Sequence, residues 1–574
     1  MKEIEFRVKE TGVKTYIVSD DGKNVVNDID IDDSIETLVF GLNENEIFYD
    51  LEGANKVFPN VKNFIIMPAI ECIKISNKMF PNVRTIVSYS AHYRTDSYLI
   101  YHQGLEDVLV NSFCLHANEI LDLRHVTRIA SYALDGCKAE NIEYNENIPL
   151  TLMDNCFVGS RYNEEPFVDG IKSYNGFMID IDKGAKDVVF SEDIHINSLA
   201  EVRMIHSLII RKASALYDEN SCIFSNIEAQ ELIIDFLGKP RQPDIVHVCD
   251  MLHAHYVEMG ASVRGIFSND GILYTDQGKT LSFIPRARTE PVVIPDGVVS
   301  VGQDAGCFTN ISSIEFPQSL QTIHERGFRG SSLKSVKFNG STFVGLRAFS
   351  CCVNLINLIL PSTTMITSWS FGDCKNLQRI RIPASVKNIN SGNFSYVNEF
   401  VIEGADFPDG IITYERFCRT VAISNKNYIT LKWKGHALYI PLSIGSSNLK
   451  EIKHKIIQGE VEGFYRYAQE KNMKLDTAIA EALNNNTKKS RAYVRRAGKA
   501  IVNMYLDKCD SDDVSSSGRD VLMHLIEEAL MTESTLKYLL AKTDDVKDTT
   551  LRAYALNKLN INNLKPSKTC GFAL

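Results

Sequence analysis

The sequence predicts a repeat solenoid, a leucine-rich coil stack with a parallel strand ladder, followed by an all-α C-terminal domain. Three observations predict it. A proline or turn residue returns every 22 residues, at Pro295, Pro317, Asn339, Pro361 and Pro383. Behind each of the first four, apolar residues recur at offsets 16, 19 and 21: Ile311, Ile314 and Phe316; Leu333, Val336 and Phe338; Leu355, Leu358 and Leu360; Leu377, Ile380 and Ile382. An aromatic falls near mid-repeat each time, at Phe308, Phe328, Phe349, Phe371 and Phe394. A fixed period of roughly 20–29 residues with this pattern marks a leucine-rich solenoid.

Within one repeat, the apolar residues at offsets 19 and 21 flank an outward one, as in a half-buried strand. The residue at offset 16 and the mid-repeat aromatic fill the coil interior. One coil cannot bury its apolar face alone, so coils stack and their strands pair in parallel. The prolines fall between strands, where no ladder donor is lost. The last copy shifts, with Val397, Phe400 and Ile402 arriving early.

The run GIFSNDGILYTDQGKTLSFIP (Gly265–Pro285), followed by IPDGVVSVG (Ile294–Gly302), resembles the BspA-like leucine-rich repeat proteins. LRAFSCCVNLINLILP (Leu346–Pro361) and SWSFGDCKNLQRIRIP (Ser368–Pro383) look like further copies. The resemblance implies a binding scaffold without catalysis. It also implies a choice of settings, since secreted members of that family are associated with adhesion to host proteins and many intracellular members have no known role.

Taken in chain order, residues 1–20 read as a hairpin cap, from the alternation at Glu3–Val8 and Lys14–Ser19. Residues 21–260 read as a worn solenoid. FPNV occurs at Phe58–Val61 and again at Phe80–Val83, with Phe64 and Ile66 matched by Ile86 and Tyr89 or nearby positions. Arg124–Tyr144 is one repeat, with Tyr132 or Leu134 in the aromatic slot and Cys137 behind it. HSLIIRK (His206–Lys212) and QELIIDF (Gln230–Phe236) lie 24 residues apart. The stretches 145–177 and 239–263 fit the period worst and read as insertions. Residues 261–445 hold the clear 22-residue repeats.

After residue 445 strand alternation ends. Ile452, Ile456 and Ile457, then Phe464, Tyr467 and Ala468, fall at helical spacing. Further helices are expected at Lys489–Lys508, Arg519–Met531, Thr535–Ala541 and Asp548–Leu559. Residues 446–562 thus form a helical domain that covers the last coil's apolar face and strand edge, with 563–574 a flexible tail. The polar run DKCDSDDVSSSGRD is read as a loop between helices.

The 574 residues carry a net charge of −10, which disfavours bulk binding to nucleic acid or anionic membrane. The first residues are charged and alternating instead of a basic stub before an apolar run. No apolar run approaches the ~20 residues that span a bilayer. The expected location is cytoplasmic.

None of the 13 cysteines forms a C-x-x-C pair. Cys352 and Cys374 share one repeat offset and Cys307 falls one place off it, a ladder of small buried side chains. The densest metal-ligand set is HVCDMLHAH, with His247, Cys249, His253 and His255 as the zinc candidates. It lacks a second ligand pair, and a polar surface segment is the competing reading. No phosphate-cradling glycine loop or nucleophile elbow is present. No catalytic residue and no cofactor is therefore expected.

Lys488, Lys489, Arg491, Arg495, Arg496 and Lys499 form a basic patch without an acid between them. With Tyr493 interleaved it could follow a phosphate backbone, whereas a solvated helix face with Ala492, Val494 and Ala497 inward is the plainer reading. The function expected is protein–protein recognition by Glu315, Lys337, Asn357, Gln378, Arg379 and Arg381, which lie between the inward strand positions. The alternative is a regulatory or nucleic-acid-associated protein acting through residues 488–499.

Overall fold

In the computed structural model the chain divides into two compact units, residues 1–277 and 278–574. The structure describes residues 3–563 apart from 8–11, 21–22, 43–46, 52–55, 96–97, 104–105, 114–118, 146–149, 154, 192–201, 214–215, 217–223, 225, 364, 414–416, 418–426, 510–514 and 544–548.

The first unit opens on the expected hairpin, Glu3–Arg7 against Val13–Asp20. A third strand, Lys23–Ile31, pairs antiparallel with the second and starts a parallel ladder by aligning Val25 with Phe48. Thr37–Phe40, Asn63–Ile66 and Thr85–Ser88 form a second parallel ladder. Its register aligns Phe64 with Ile86 as expected but Ile66 with Ser88, leaving Tyr89 exposed. In the repeat at 124–144, Leu134 is fully buried and Tyr132 is 49% exposed, so Leu134 fills the slot, with Cys137 buried behind it.

The two stretches read as insertions both contribute to the ladders, although Ile171–Tyr174 in the first pairs antiparallel with Phe177–Ile181 in a separate two-stranded sheet. Thr151–Leu152 extends the ladder that runs through Val108–Leu109 and Arg128–Ile129, and Phe157 and Tyr162 are core residues. At 239–263 an α-helix, Gln242–Met251, replaces the usual turn and buries Ile245, Val248 and Cys249. Tyr256–Met259 then continues the ladder of Asp187–Phe190, Arg203–Ile210 and Ile227–Ile234. The 24-residue match holds, with Ser207 opposite Glu231.

The second unit contains the regular coils. Val292–Val293, Ser313–Phe316, Ser335–Phe338 and Asn357–Ile359 pair in parallel along one side. Short strands at Ser300–Val301, Thr322–Ile323 and Phe343–Val344 do so along another. Arg379–Ile382, Glu399–Ile402 and Tyr428–Trp433 form a further parallel ladder, closed by the antiparallel strand His436–Pro441. Between the sides, Phe328, Phe349, Phe371 and Phe394 form a column with ring centroids 5.2, 5.3 and 5.5 Å apart and planes within 14° of parallel.

Phe308 is not in that column. It is 53% exposed, and the slot belongs to Gly306, where a Cβ would stand 2.4 Å from the ring of Phe328. Three residues after each slot comes a column of small buried side chains, Thr309, Ser331, Cys352 and Cys374. The thiols of Cys352 and Cys374 donate to the carbonyls of Phe328 and Phe349, at 3.2 and 3.3 Å. Burial pushes the Cys352 thiol up to about 12, so it stays protonated. Cys307, buried beside Gly306, lies off this column.

The α-helical part begins at Leu449–Ile457 and continues with Lys471–Asn484. The helix expected at 489–508 is two, Lys488–Arg496 and Gly498–Cys509. They break where Gly498 approaches Thr535 so closely that a Cβ would meet its hydroxyl at 2.4 Å. Ser515–Glu527, Glu533–Lys542 and Thr549–Asn563 follow, so Ser515–Gly518 begins a helix and is not loop.

These segments cover the edge of the last strand. Ile444 bridges to Ala468, Gln469 N–H donates to the Ser443 carbonyl at 3.0 Å, and the Asn485 amide donates to the Ala437 carbonyl at 2.6 Å. An edge carbonyl left without its donor loses about 1–2 kcal/mol. Asn485→Ala is expected to destabilise the helical part by that amount in urea titration.

Candidate functional site

The outward face of the strands is built by alternation. In Ser313–Phe316 and Ser335–Phe338 the second and fourth residues are buried and the first and third face out. The ladder register therefore places Val293, Glu315, Lys337 and Ile359 in one outward row. The next ladder places Arg381, Val401 and Lys432 in a second outward row.

Every sequence-selected residue of this face reaches solvent: Lys337, Asn357, Gln378, Arg379 and Arg381 are exposed and Glu315 is half-buried. They are not independent. Lys337 pairs with Glu315 at 2.6 Å, and this hydrogen bond holds the Glu315 carboxyl below its usual range. Asn339 donates to the same carboxylate at 2.8 Å. Arg379 and Lys432 share Glu399 at 3.2 and 2.8 Å, and Arg381 reaches Glu403 at 3.1 Å. Exposed pairs of this kind add little stability, but they fix the directions in which the cations point.

Sequence reasoning missed the apolar members of the face. Ile356 is 56% and Ile359 57% exposed, and Val293 is 73% exposed. In LINLILP the alternation already sets Ile359 outward between inward Leu358 and Leu360, but the contact set took the polar Asn357 from that strand and passed over the apolar residue.

The basic segment folds onto its own domain. Arg491 and Arg495 donate to the carbonyls of Glu528 and Ala529, just past the C-terminal end of the helix Ser515–Glu527, where cations complement the helix dipole. Lys489 pairs with Glu462 at 3.2 Å, and the Lys499 ammonium sits 5.5 Å from the Tyr538 ring centre. Tyr493 stacks on Tyr465 at 4.7 Å. Lys488 and Arg496 are exposed, and so is Ala492, which was expected inward with Val494.

The zinc candidates do not converge. His247 and Cys249 sit on opposite sides of the helix Gln242–Met251, the first exposed and the second buried. His253 stands exposed beyond the helix end at φ 51°, and His255 immediately precedes the strand Tyr256–Met259. Among the described residues no group of three or more His, Cys, Asp or Glu side chains is placed to hold a metal ion. No helix among them is long and apolar enough to cross a membrane.

In the second unit the carboxyl of Glu481 is strongly perturbed. It is fully buried and accepts from the N–H groups of Gly463 and Phe464 at 3.0 and 2.9 Å. Desolvation outweighs these bonds and pushes its pKa up to about 7.

No curated protein matches the chain. Among solved structures it is similar to the pneumococcal vaccine antigen PcpA, with 12% identity, a TM-score of 0.23, and 71% of this chain and 88% of that one covered. It is also similar to a leucine-rich repeat protein from Eubacterium ventriosum, with 14% identity, a TM-score of 0.19, and 71% and 97% covered. A family model of the BspA type leucine-rich repeat region matches residues 286–419 in six copies. This part of the chain, which carries the 22-residue ladder and the stacked phenylalanines, is similar to the BspA type leucine-rich repeat region.

Proposed function

We propose that the chain is a non-enzymatic recognition protein that binds another protein on the outward face of its repeat strands. Glu315, Lys337, Asn357, Gln378, Arg379 and Arg381 make the contacts around an apolar centre at Ile356 and Ile359. The observation that carries this reading is Ile359, exposed in the row that also holds Lys337. Neighbouring exposed apolar side chains with a charged rim mark an interaction surface. The strands are already hydrogen-bonded, so little ordering entropy opposes binding. Charge on the rim sets orientation and partner choice.

Affinity capture with the tagged full chain, from nuclease-treated extract of its own cells, tests the surface. The partner recovered by the native chain is expected to fall at least tenfold with Arg379→Glu/Arg381→Glu and to be retained with Lys375→Glu. Equal recovery by all three counts against this face. The basic segment 488–499 supports an internal role better than a nucleic-acid role, because its Arg491 and Arg495 already bind carbonyls of the same domain.

A further inference from the structure

The last hairpin of the second unit ends at the outward face. Trp433 pairs with His436, and Lys434 and Gly435 between them have φ of 48° and 77°, the conformation of a type I′ turn. A hollow of about 350 Å³ opens beside this tip, lined by Val401, Lys432, Lys434, His436 and Ala437 among others. Its origin is a size difference in the register: Ala437 lies directly opposite Lys432, and its single methyl leaves the space a longer side chain would fill. The tip is held firmly. Trp433 is buried, donates its indole N–H to the Gly404 carbonyl at 2.8 Å, and carries the Lys434 ammonium 4.3 Å from its ring centre.

The charge around the hollow is one-sided. Lys432 and Lys434 bring two ammonium groups and His436 an imidazole, while of the neighbouring carboxylates Glu399 is shared between Lys432 and Arg379 and Glu403 is paired with Arg381, so the four cations outnumber the two acids. Arg381 lies in the same outward row, two strands from Lys432 with Val401 between. Two strand spacings are roughly 10 Å, about three residues of an extended peptide. This local cationic row stands out on a chain whose net charge is −10. The net negative charge of the chain disfavours an acidic partner in general, and the excess of cations favours one here, so both signs of interaction serve specificity.

We infer that the hollow receives a carboxylate side chain of the partner, and that the partner binds through an extended acidic segment with apolar residues interspersed. That segment lies across the strands from Lys434 past Arg381 toward Ile359. The inference rests on the strand-face reading above and adds the partner's chemistry and a defined subsite.

The test uses the full chain and three fluorescein-labelled synthetic peptides, alternating Glu-Leu, Lys-Leu and Ser-Leu, followed by anisotropy. The Glu-Leu peptide is expected to bind at least tenfold more tightly than the other two. Lys434→Glu/His436→Glu is expected to weaken it at least fivefold, Lys434→Gln by a smaller factor, and Lys375→Glu not at all. Glu-Leu binding unchanged in Lys434→Glu/His436→Glu overturns the subsite; if Arg379→Glu/Arg381→Glu still weakens it, the strand-face reading survives that loss. Equal binding of all three peptides, or no binding of the Glu-Leu peptide, overturns the acidic partner.

Discussion

Phe349→Ala is expected to lower the stability of the repeat region by about 4 kcal/mol. The ring is fully buried and stacked on both sides, 5.2 Å from Phe328 and 5.3 Å from Phe371. Phe316 and Phe338 close the remaining sides at 6.4 and 6.0 Å. The surrounding coils cannot collapse into the space, because neighbouring coils hold the slot by backbone bonds: Phe328 N–H donates to the Ala348 carbonyl and Phe349 N–H to the Ser370 carbonyl, each at 2.7 Å. The cavity therefore persists and adds its cost to the lost transfer energy. Phe308→Ala, at the position sequence alone placed in the same column, is expected to cost less than about 1 kcal/mol, because that ring is mostly in water. Urea midpoints of the two variants decide the matter, and a larger loss for Phe308→Ala would contradict the column.

Glu481 is expected to make the helical part lose stability as pH rises. Its pKa is about 7 in the folded chain against an ordinary 4.5. Below pH 4.5 the carboxyl is protonated in folded and unfolded chains alike, and its favourable effect is fully present. Between pH 4.5 and 7 the unfolded chain ionises while the buried group stays protonated, so stability falls. By pH 7 and above the loss amounts to about 3 kcal/mol. Amide exchange at Gly463 and Phe464, the two donors to this carboxyl, reports it locally. Exchange there, corrected for its intrinsic pH dependence, accelerates from pH 5 to 7.5 in the native chain and loses that excess in Glu481→Gln. The same excess in both proteins would place the titration elsewhere.

Much of the architecture is legible because a solenoid writes its contacts at a fixed separation. Ile314, Val336 and Leu358, one apart from the next by 22 residues, are also direct ladder neighbours. What defeats the reading is substitution within a slot. At Gly306 the aromatic of the next coil, Phe328, fills the space, so the nearest aromatic in sequence, Phe308, is mistaken for the filler. At 242–251 a helix does the work of a turn, and the period is lost although the ladder continues through Tyr256–Met259. The break after Arg496 depends on contact with Thr535, which no local pattern announces. The outward position of Ile359 was readable from the same alternation as Glu315 and Lys337, but the choice of contact residues went to polar side chains, and the exposure of Ile356, which precedes the strand, carried no such signal. The hollow at Ala437 depends on a cross-strand pairing with Lys432 and is equally silent in sequence.

Hydroxyl-radical footprinting of the full chain with its captured partner tests the central claim most directly, because Ile356 and Ile359 are reactive only while they face water. The partner is expected to protect Ile356 and Ile359 at least threefold and to leave Tyr554, exposed on the helix Thr549–Asn563, unchanged. Full labelling of both isoleucines in the complex, with protection confined to residues 488–499, would contradict it.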